Sequence, residues 1–317
     1  MHLPNIAASI LCLLALASGV AAEPIKGAAG SQNSGLIIRV EGGGWGGDSA
    51  EQIETVLYAV ANEFLAGPSK KLATPIVVTH TESNPIALYD RGRAGEYLVR
   101  LHASDGRWHL YVYEFAHEFC HLMSNYDENV GDDIGRHNQW FEEALCETAS
   151  LYALESLAAK WERSPPTLEW SRQANKLRLF FNRLVAEEHR QLPSQTGPVT
   201  WLRNNEERLR RDPYQREQND LIAKLLLPLF EQNRNGWSAL GYLNLDPADP
   251  DASLAEYLHH WYDSSPGEYK TFIGGVRVLL GASDVAPASA ALAADAAVRP
   301  VTMAVASTHD PRNDIRP

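Results

Sequence analysis

The chain has few basic residues and few long apolar runs. Its 28 lysines and arginines stand against 40 aspartates and glutamates, which gives a formal net charge of −12. This shortage of positive charge argues against nucleic acids and anionic membranes as partners. Beyond residues 6–20, no stretch is apolar for the roughly 18 residues that a membrane-spanning helix needs. We therefore expect no membrane span.

The two ends of the sequence predict segments outside the folded part. Residues 1–22 contain no Lys, Arg, Asp or Glu, are apolar from Ile6 to Val20, and end in small residues before Glu23. This pattern is typical of a cleaved signal peptide, so we expect an exported protein, periplasmic or extracellular. Residues 282–317 are rich in Ala, Pro, Ser and Asp without any aromatic residue, and predict a disordered tail with no catalytic role.

The motif His117-Glu-Phe-Cys-His121 has the pattern H-E-x-x-H. The run from Trp108 to Met123 around it has no Gly or Pro, and its apolar residues recur at helical spacing. On a helix, positions i and i+4 share one face, so His117 and His121 can offer two imidazoles to one metal ion. Glu118 can then reach a water bound to that metal. Zinc suits these ligands and leaves a position open for water; the alternative is an ordinary buried helix whose histidines are hydrogen-bonded.

A catalytic zinc usually takes a third protein ligand, and a second segment supplies candidates for it. Residues 125–137 are rich in Asp, Asn and Gly and predict a loop, after which Asn138 is a plausible N-cap. The helical pattern that follows carries three carboxylates, those of Glu142, Glu143 and Glu147. A helix–loop–helix arrangement can return these carboxylates alongside the motif helix.

These two segments resemble the gluzincin metallopeptidases, which combine H-E-x-x-H with a later Glu and include thermolysin-like enzymes and M-one-type aminopeptidases. Trp140-Phe-Glu-Glu-Ala-Leu-Cys-Glu147 is similar to the aminopeptidase segment Trp-Leu-Asn-Glu-Gly-Phe-Ala-Glu. The resemblance implies a zincin-like fold, one zinc ion per chain and Glu143 as the third zinc ligand. It also implies that the Glu147 carboxylate orients His117, since such partners fix the direction of a ligand ring.

The second segment departs from the family at two positions, where Glu142 replaces Asn and Ala144 replaces Gly. Glu142 is a rival for the ligand role, because neighbouring helical residues point about 100° apart and only one can face the metal. We favour Glu143 from the alignment and from its i+4 relation to Glu147; for the other two glutamates the alternative is a solvated acidic face. The Gly-x-Met-x-Asn segment that holds the substrate amine in aminopeptidases is missing before His117, so that specificity is not carried over.

A donor for the oxyanion that forms during hydrolysis is predicted from a third segment. Family members supply this donor from a Tyr-x-Lys-Gly helix start, which Tyr214 and the apolar pattern after it resemble. Arg216 stands in place of the Lys, and Glu217 in place of the Gly. Tyr214 is therefore the candidate, with a surface Tyr at a helix start as the alternative; His259 and His260 are another possible source.

Two cysteines, Cys120 and Cys146, remain once residues 1–22 are removed. Cys120 directly precedes His121, and Cys146 follows Glu143 by three residues on the same side of its helix. The two helices must approach to share one zinc ion, and an exported protein meets an oxidising compartment, so we predict a disulfide between these cysteines. The alternatives are two buried thiols and a fourth zinc ligand, which would close the site.

The whole sequence predicts an α+β fold with two lobes. Residues 23–138 form a lobe in which a small mixed sheet packs on the motif helix, and residues 139–281 form a mostly helical lobe that carries the third ligand. Strands are predicted at 36–41, 74–79, 86–90 and 96–102, and helices at 51–65, 139–160, 167–188, 199–210, 214–232, 252–263 and 267–280. Glu96–His102 is the candidate edge strand, along which an extended substrate can pair.

The glycine-rich segment Gly42–Gly47 fits the pattern G-x-G-x-x-G. Dinucleotide binding requires a helix that starts within such glycines. Here Asp48 is the expected N-cap of the next helix, with Glu51 completing a capping box. A flexible loop is therefore the preferred interpretation.

Together these features predict an exported zinc metallopeptidase that acts on peptide or protein substrates. Zinc is expected on His117, His121 and Glu143, Glu118 is the general base for a zinc-activated water, and Tyr214 holds the oxyanion. One alternative is an amidase or esterase with the same site. Another is an inactive binding protein on a gluzincin scaffold, against which the intact Glu118 argues.

Overall fold

The computed structural model describes residues 35–65, 74–127, 138–165, 168–245 and 252–283. The predicted signal peptide and most of the predicted tail lie outside these ranges, as does the part of the predicted loop from 128 to 137. Within them the fold is α+β, with a small mixed sheet and many helices, which confirms the predicted class.

The sheet of the described chain has four strands: β1 (Ile38–Val40), β2 (Ile76–His80), β3 (Ile86–Ala87) and β4 (Tyr97–Leu101). They lie in the order β1-β2-β4-β3, with β2 parallel to both β1 and β4, and β3 antiparallel to β4. The prediction that Glu96–His102 forms a sheet edge is wrong, because β4 pairs on both sides. The edge strands of the described sheet are β1 and β3, and β3 is the one next to β4.

The first helix, α1 (Ala50–Phe64), buries the predicted apolar stripe of Ile53, Val56, Leu57 and Val60. Its predicted cap is wrong by one residue, since Ser49 rather than Asp48 accepts from the Gln52 backbone. The Gln52 side chain in turn accepts from the Ser49 backbone, so Gln52 and not Glu51 completes the capping box.

Asp48 instead links the end of the glycine-rich loop to the start of the helix that follows the sheet. It accepts hydrogen bonds from the Gly106 backbone at 2.8 Å and from the Tyr111 hydroxyl at 3.0 Å. Gly44 has a φ of 99°, and a Cβ there would lie 2.5 Å from Nδ1 of His80. Close packing therefore accounts for this glycine, and the helix begins only after the loop.

The remaining helices follow the sheet: α2 (Trp108–Met123), α3 (Gln139–Arg163), α4 (Leu168–Ala186), α5 (Pro198–Arg211), α6 (Arg216–Gln232), α7 (Gly236–Ala239), α8 (Leu254–Ser264) and α9 (Gly267–Leu279). Short 3₁₀ segments lie at Glu188–Arg190 and Leu240–Tyr242. Helix α3 packs against α2, α4 and α6, and most of its side chains are buried. It is therefore the central element on which the site is built.

The hydrophobic core is continuous from Ile38 in β1 to Ala282 after α9. It includes residues on both sides of position 138, where the two predicted lobes meet, so the division into lobes stays a prediction. Asn138 is the N-cap residue of α3, but its side chain donates to the Ala252 carbonyl instead of capping the helix. In the described part of the chain, no helix combines the length and the hydropathy needed to cross a bilayer.

Candidate metal centre

Helix α2 places His117 and His121 side by side at the wall of a cavity of about 540 Å³. Their ring centroids are 5.1 Å apart. Phe115, Phe119 and Leu122 of the same helix are completely buried in the core. Because the apolar residues fix the rotation of the helix, the two imidazoles are directed to the cavity.

Glu143 of α3 faces both histidines across this cavity. One carboxylate oxygen of Glu143 lies 3.3 Å from Nε2 of His117, and the other lies 3.8 Å from Nε2 of His121. The structure thus brings the three predicted ligands together. Two imidazole nitrogens and one carboxylate form a donor set that suits zinc and leaves room for a fourth ligand.

Glu142, the rival ligand, binds the other nitrogen of His121. Its Oε1 lies 2.9 Å from Nδ1 of His121 and accepts from the Ser124 hydroxyl at 3.2 Å, and its Oε2 accepts from the Asn244 amide at 3.0 Å. A carboxylate at Nδ1 requires the proton on that nitrogen, which leaves the Nε2 lone pair of the neutral ring for a metal. This orienting role of Glu142 was not among the roles that the sequence predicts.

The negative carboxylates around the two histidines favour a positive charge between them. Burial lowers the pKa of His121, but the hydrogen bond to Glu142 and the charges of Glu143 and Glu142 outweigh it and raise the pKa to about 10. Burial likewise opposes the charged form of His117, yet the bond to Glu143 and the charge of Glu118 raise its pKa. For Glu143, burial is outweighed by the two histidines, which lower its pKa. Protons on the histidines or a bound metal cation can supply this positive charge.

Glu118 lies buried between α2 and the edge strand β3. Its carboxylate accepts from the backbone N–H of Ala87 at 2.6 Å. Burial raises the pKa of Glu118, and the neighbouring histidines and the Ala87 amide only partly oppose this effect. A carboxyl group with a raised pKa gives and takes protons more readily near neutral pH, as a general acid–base group must.

Glu147 is occupied by partners other than the predicted one. The Tyr113 hydroxyl donates to it, and Nη2 of Arg190 lies 2.8 Å from its Oε1. The predicted contact with His117 is not among the described hydrogen bonds and ion pairs of Glu147. The buried guanidinium of Arg190 accounts for the difference, because a buried carboxylate needs a charged partner more than an imidazole does.

A second cluster of acids and histidine lies around that arginine. Glu187, His189 and Asp220 offer ligand atoms that all lie within 4.8 Å of one another. Arg190 reaches into this group, with Nε 3.1 Å from Glu187 and Nη2 3.2 Å from Asp220. We call Glu147, Glu187, His189, Arg190 and Asp220 the arginine cluster.

Tyr214 lines the same cavity as the predicted ligands, but it lies at the exposed mouth. Its side chain is 66% exposed, and its hydroxyl accepts from the Gln139 amide at 2.9 Å. His259 is exposed and lies 3.2 Å from Asp263 on α8. Neither His259 nor His260 lines the cavity, which leaves Tyr214 as the better placed of the predicted oxyanion donors.

Cys120 and Cys146 are free, buried thiols that contact each other between α2 and α3. The predicted disulfide is thus not formed in this structure, and its formation stays a prediction. A sulfur of Cys146 and one ring nitrogen of each site histidine also lie within 4.8 Å of one another. Burial and the contact with Cys120 raise the pKa of Cys146 well above its usual range, so it holds its proton. Since the thiolate is the form that binds metals, Glu143 is the better third ligand.

Comparison with protein-family models, with curated proteins and with solved structures finds no match for this chain. Its function is therefore inferred from the geometry and chemistry of the site.

Proposed function

We propose that the protein is a zinc-dependent peptidase of the gluzincin type. His117 and His121 would hold the zinc through Nε2, and Glu143 through its carboxylate. The observation that carries the proposal is the position of Glu143, which faces Nε2 of both histidines while Glu142 holds the far nitrogen of His121. Nitrogen and oxygen ligands in this number favour zinc over magnesium or calcium, which prefer oxygen ligands alone.

When bound, zinc supplies a Lewis acid and lowers the pKa of a water molecule. The residues of the chain supply the proton transfers. Glu118 takes a proton from the attacking water at its carboxylate and later delivers it to the leaving amine. Burial raises the pKa of Glu118, which supports this cycle because the carboxyl group then holds a transferred proton more readily than an exposed glutamate does.

The edge strand β3 supports a peptide as the substrate. Residues 84–87 line the cavity, and the Ala87 N–H that binds Glu118 points away from β4. An extended peptide can add to such an edge through main-chain hydrogen bonds. Pairing there would place the peptide backbone beside Glu118 and the two histidines. Export of the protein stays a prediction that rests on residues 1–22.

The test is hydrolysis of a mixed peptide library by the zinc-loaded protein, read by mass spectrometry, for wild type and Glu118→Gln. We expect Glu118→Gln to retain zinc and to lose a factor of about 10²–10⁴ in rate, the usual contribution of a general base. Glu207→Gln is the matched control, because that side chain is 87% exposed and lies on α5, away from the site.

Hydrolysis that survives Glu118→Gln at the wild-type rate would contradict the assigned base. A wild-type protein that binds zinc yet cleaves no peptide would instead direct attention to non-peptide amides and esters, or to a binding role.

A further inference from the structure

A second cavity of about 690 Å³ adjoins the candidate metal centre. Six residues line both cavities and form the passage between them: Asn84, Pro85, Tyr113, Glu114, Arg216 and Asp220. A substrate that reaches from the metal centre into the second cavity must therefore pass these side chains.

Three of the four ionisable side chains in this passage are already committed to partners. Tyr113 donates to Glu147, and Asp220 pairs with Arg190 at 3.2 Å. Glu114 accepts from two backbone amides, those of residues 102 and 103, at 2.8 and 2.9 Å.

The fourth, Arg216, forms no ion pair with a carboxylate among the described residues. Its guanidinium bonds to the Tyr113 hydroxyl, and the charges of Glu147 and Asp220 act on it from beyond ion-pair distance. Arg216 is exposed, and it is the first residue of α6. A cation at a helix N-terminus is disfavoured by the helix dipole, so this position does not serve the stability of α6. A bound anion would be favoured there by both the dipole and the guanidinium.

The distance from Arg216 to the reacting centre follows from the two helices. Tyr113 precedes His117 by one helical turn on α2, and its partner Glu147 follows Glu143 by one turn on α3. Arg216 therefore lies beside the layer of side chains that is one helical turn, about 5.4 Å along the helix axes, from the layer of the proposed metal ligands. This separation corresponds to one or two residues of an extended peptide, at about 3.3 Å per residue.

We propose that Arg216 binds a carboxylate of the peptide substrate within two residues of the cleaved bond. The carboxylate is either the C-terminal one or the side chain of an aspartate or glutamate. The planar guanidinium can hold it through two parallel hydrogen bonds. The inference rests on the proposed peptidase function and adds to it a preference for acidic substrates.

The experiment uses four hexapeptides of otherwise identical sequence: a free acid, its C-terminal amide, and two amides with Asp or Asn at the fourth position. Steady-state kinetics with wild type should favour the free acid, the Asp peptide or both over their neutral counterparts. Arg216→Gln should raise KM for the favoured acidic peptide by roughly 10–100-fold, the effect of losing a hydrogen bond to a charged group. It should leave the neutral peptides unchanged, Arg216→Lys should restore part of the difference, and Arg203→Gln on the exposed face of α5 is the control.

Equal loss on acidic and neutral peptides, or a loss confined to kcat, would overturn the carboxylate assignment and make Arg216 a group that serves the reaction itself. No preference in wild type would also overturn it. If no peptide is hydrolysed at all, calorimetric binding of the same four peptides to zinc-loaded Glu118→Gln separates the two proposals. Tighter binding of an acidic peptide that Arg216→Gln removes supports the carboxylate site, and equal binding contradicts it.

Discussion

The candidate metal centre and the arginine cluster contain the same kinds of ligand, and they differ in one residue. In the arginine cluster, the guanidinium of Arg190 lies within 3.2 Å of three carboxylates, those of Glu147, Glu187 and Asp220. At the candidate metal centre, no lysine or arginine of the described chain pairs with Glu118 or Glu143. One cluster therefore carries its own permanent cation, and the other has only histidines to balance its charge.

This difference favours the candidate metal centre over the arginine cluster as the place for a metal ion. A divalent cation beside Arg190 would meet a fixed positive charge at short range in a buried place. At the metal centre, the positive charge resides on imidazoles, which can lose their protons when a metal arrives. Ligand types alone do not identify a metal site; the presence or absence of a permanent cation must be counted too.

The largest expected effect is on zinc content, which should fall when a carboxylate of the candidate metal centre is removed but not when one of the arginine cluster is. Glu143→Ala should reduce zinc from about one ion per chain to almost none, since loss of a ligand should exceed the roughly 100-fold upper limit for a supporting residue. Asp220→Asn in the arginine cluster should leave the content unchanged. Elemental analysis after dialysis makes the measurement. Zinc that persists in Glu143→Ala but not in Glu142→Ala would exchange the roles of these two glutamates.

The second largest effect is expected on the unfolding free energy when Arg190, the permanent cation of the arginine cluster, is removed. Arg190→Met leaves the carboxylates of Glu147 and Asp220 buried without their partner, which costs about 3–5 kcal/mol for a buried pair. Urea unfolding measures the change, with the exposed Arg203→Met as a control that should stay within about 0.5 kcal/mol. If Arg190→Met lowers the unfolding free energy by less than about 1 kcal/mol, solvent must reach these carboxylates.

Zinc binding should release protons at the metal centre. His121 has a pKa raised to about 10 in the metal-free protein, so at pH 7 it must lose a proton before it binds zinc. Zinc affinity should therefore increase with pH until pH approaches 10. Glu142→Gln removes a cause of the raised pKa, and it should lower proton release and weaken zinc binding by about 10–100-fold. Calorimetry in two buffers of different protonation enthalpy counts the protons; none released by wild type at pH 7 would contradict the charge balance.

The smallest effect is expected from the histidine of the arginine cluster. His189 is partly exposed, and its partner Asp220 stays paired with Arg190 when His189 is removed. His189→Gln should change the unfolding free energy by less than about 1 kcal/mol and leave zinc content unaltered. His117→Gln, the matching change at the metal centre, should lose the zinc. A loss of zinc in His189→Gln would show that the arginine cluster belongs to the metal site.

Local features of this fold were predictable from the sequence, and features that depend on distant residues were not. The bounds of α2 follow from apolar spacing within the segment itself, and they agree with the structure at Trp108 and Met123. The place of β4 inside the sheet depends on pairing with two other strands, which no pattern within residues 96–102 reveals. The exchange of Asp48 for Ser49 at the first helix cap is likewise set by Tyr111, on another helix.

The same distinction between local and distant determinants applies to the candidate site. The positions of His117 and His121 follow from helical periodicity and a motif, and that of Glu143 from the resemblance to the gluzincin segment. The role of Glu142 depends on Asn244, which lies 102 residues later in the chain. The partner of Glu147 is Arg190, which lies in a 3₁₀ segment that the sequence pattern did not predict. A second charged residue beside a ligand was the available signal that an orienting partner was present.

The hydrogen bonds of Asn244 have a consequence for the order of events when the protein is made. Its amide donates to Glu142 and to the Ser124 carbonyl, and its own side-chain oxygen accepts from Tyr257. The three proposed metal ligands are complete by residue 143, but Asn244, which holds Glu142 in place, is synthesised about a hundred residues later. At roughly 5–20 residues per second, the nascent chain spends on the order of 5–20 s with its ligands made and their support missing. Metal taken up in that interval would be held loosely, and firm retention would begin only when the last third of the chain docks onto α2 and α3.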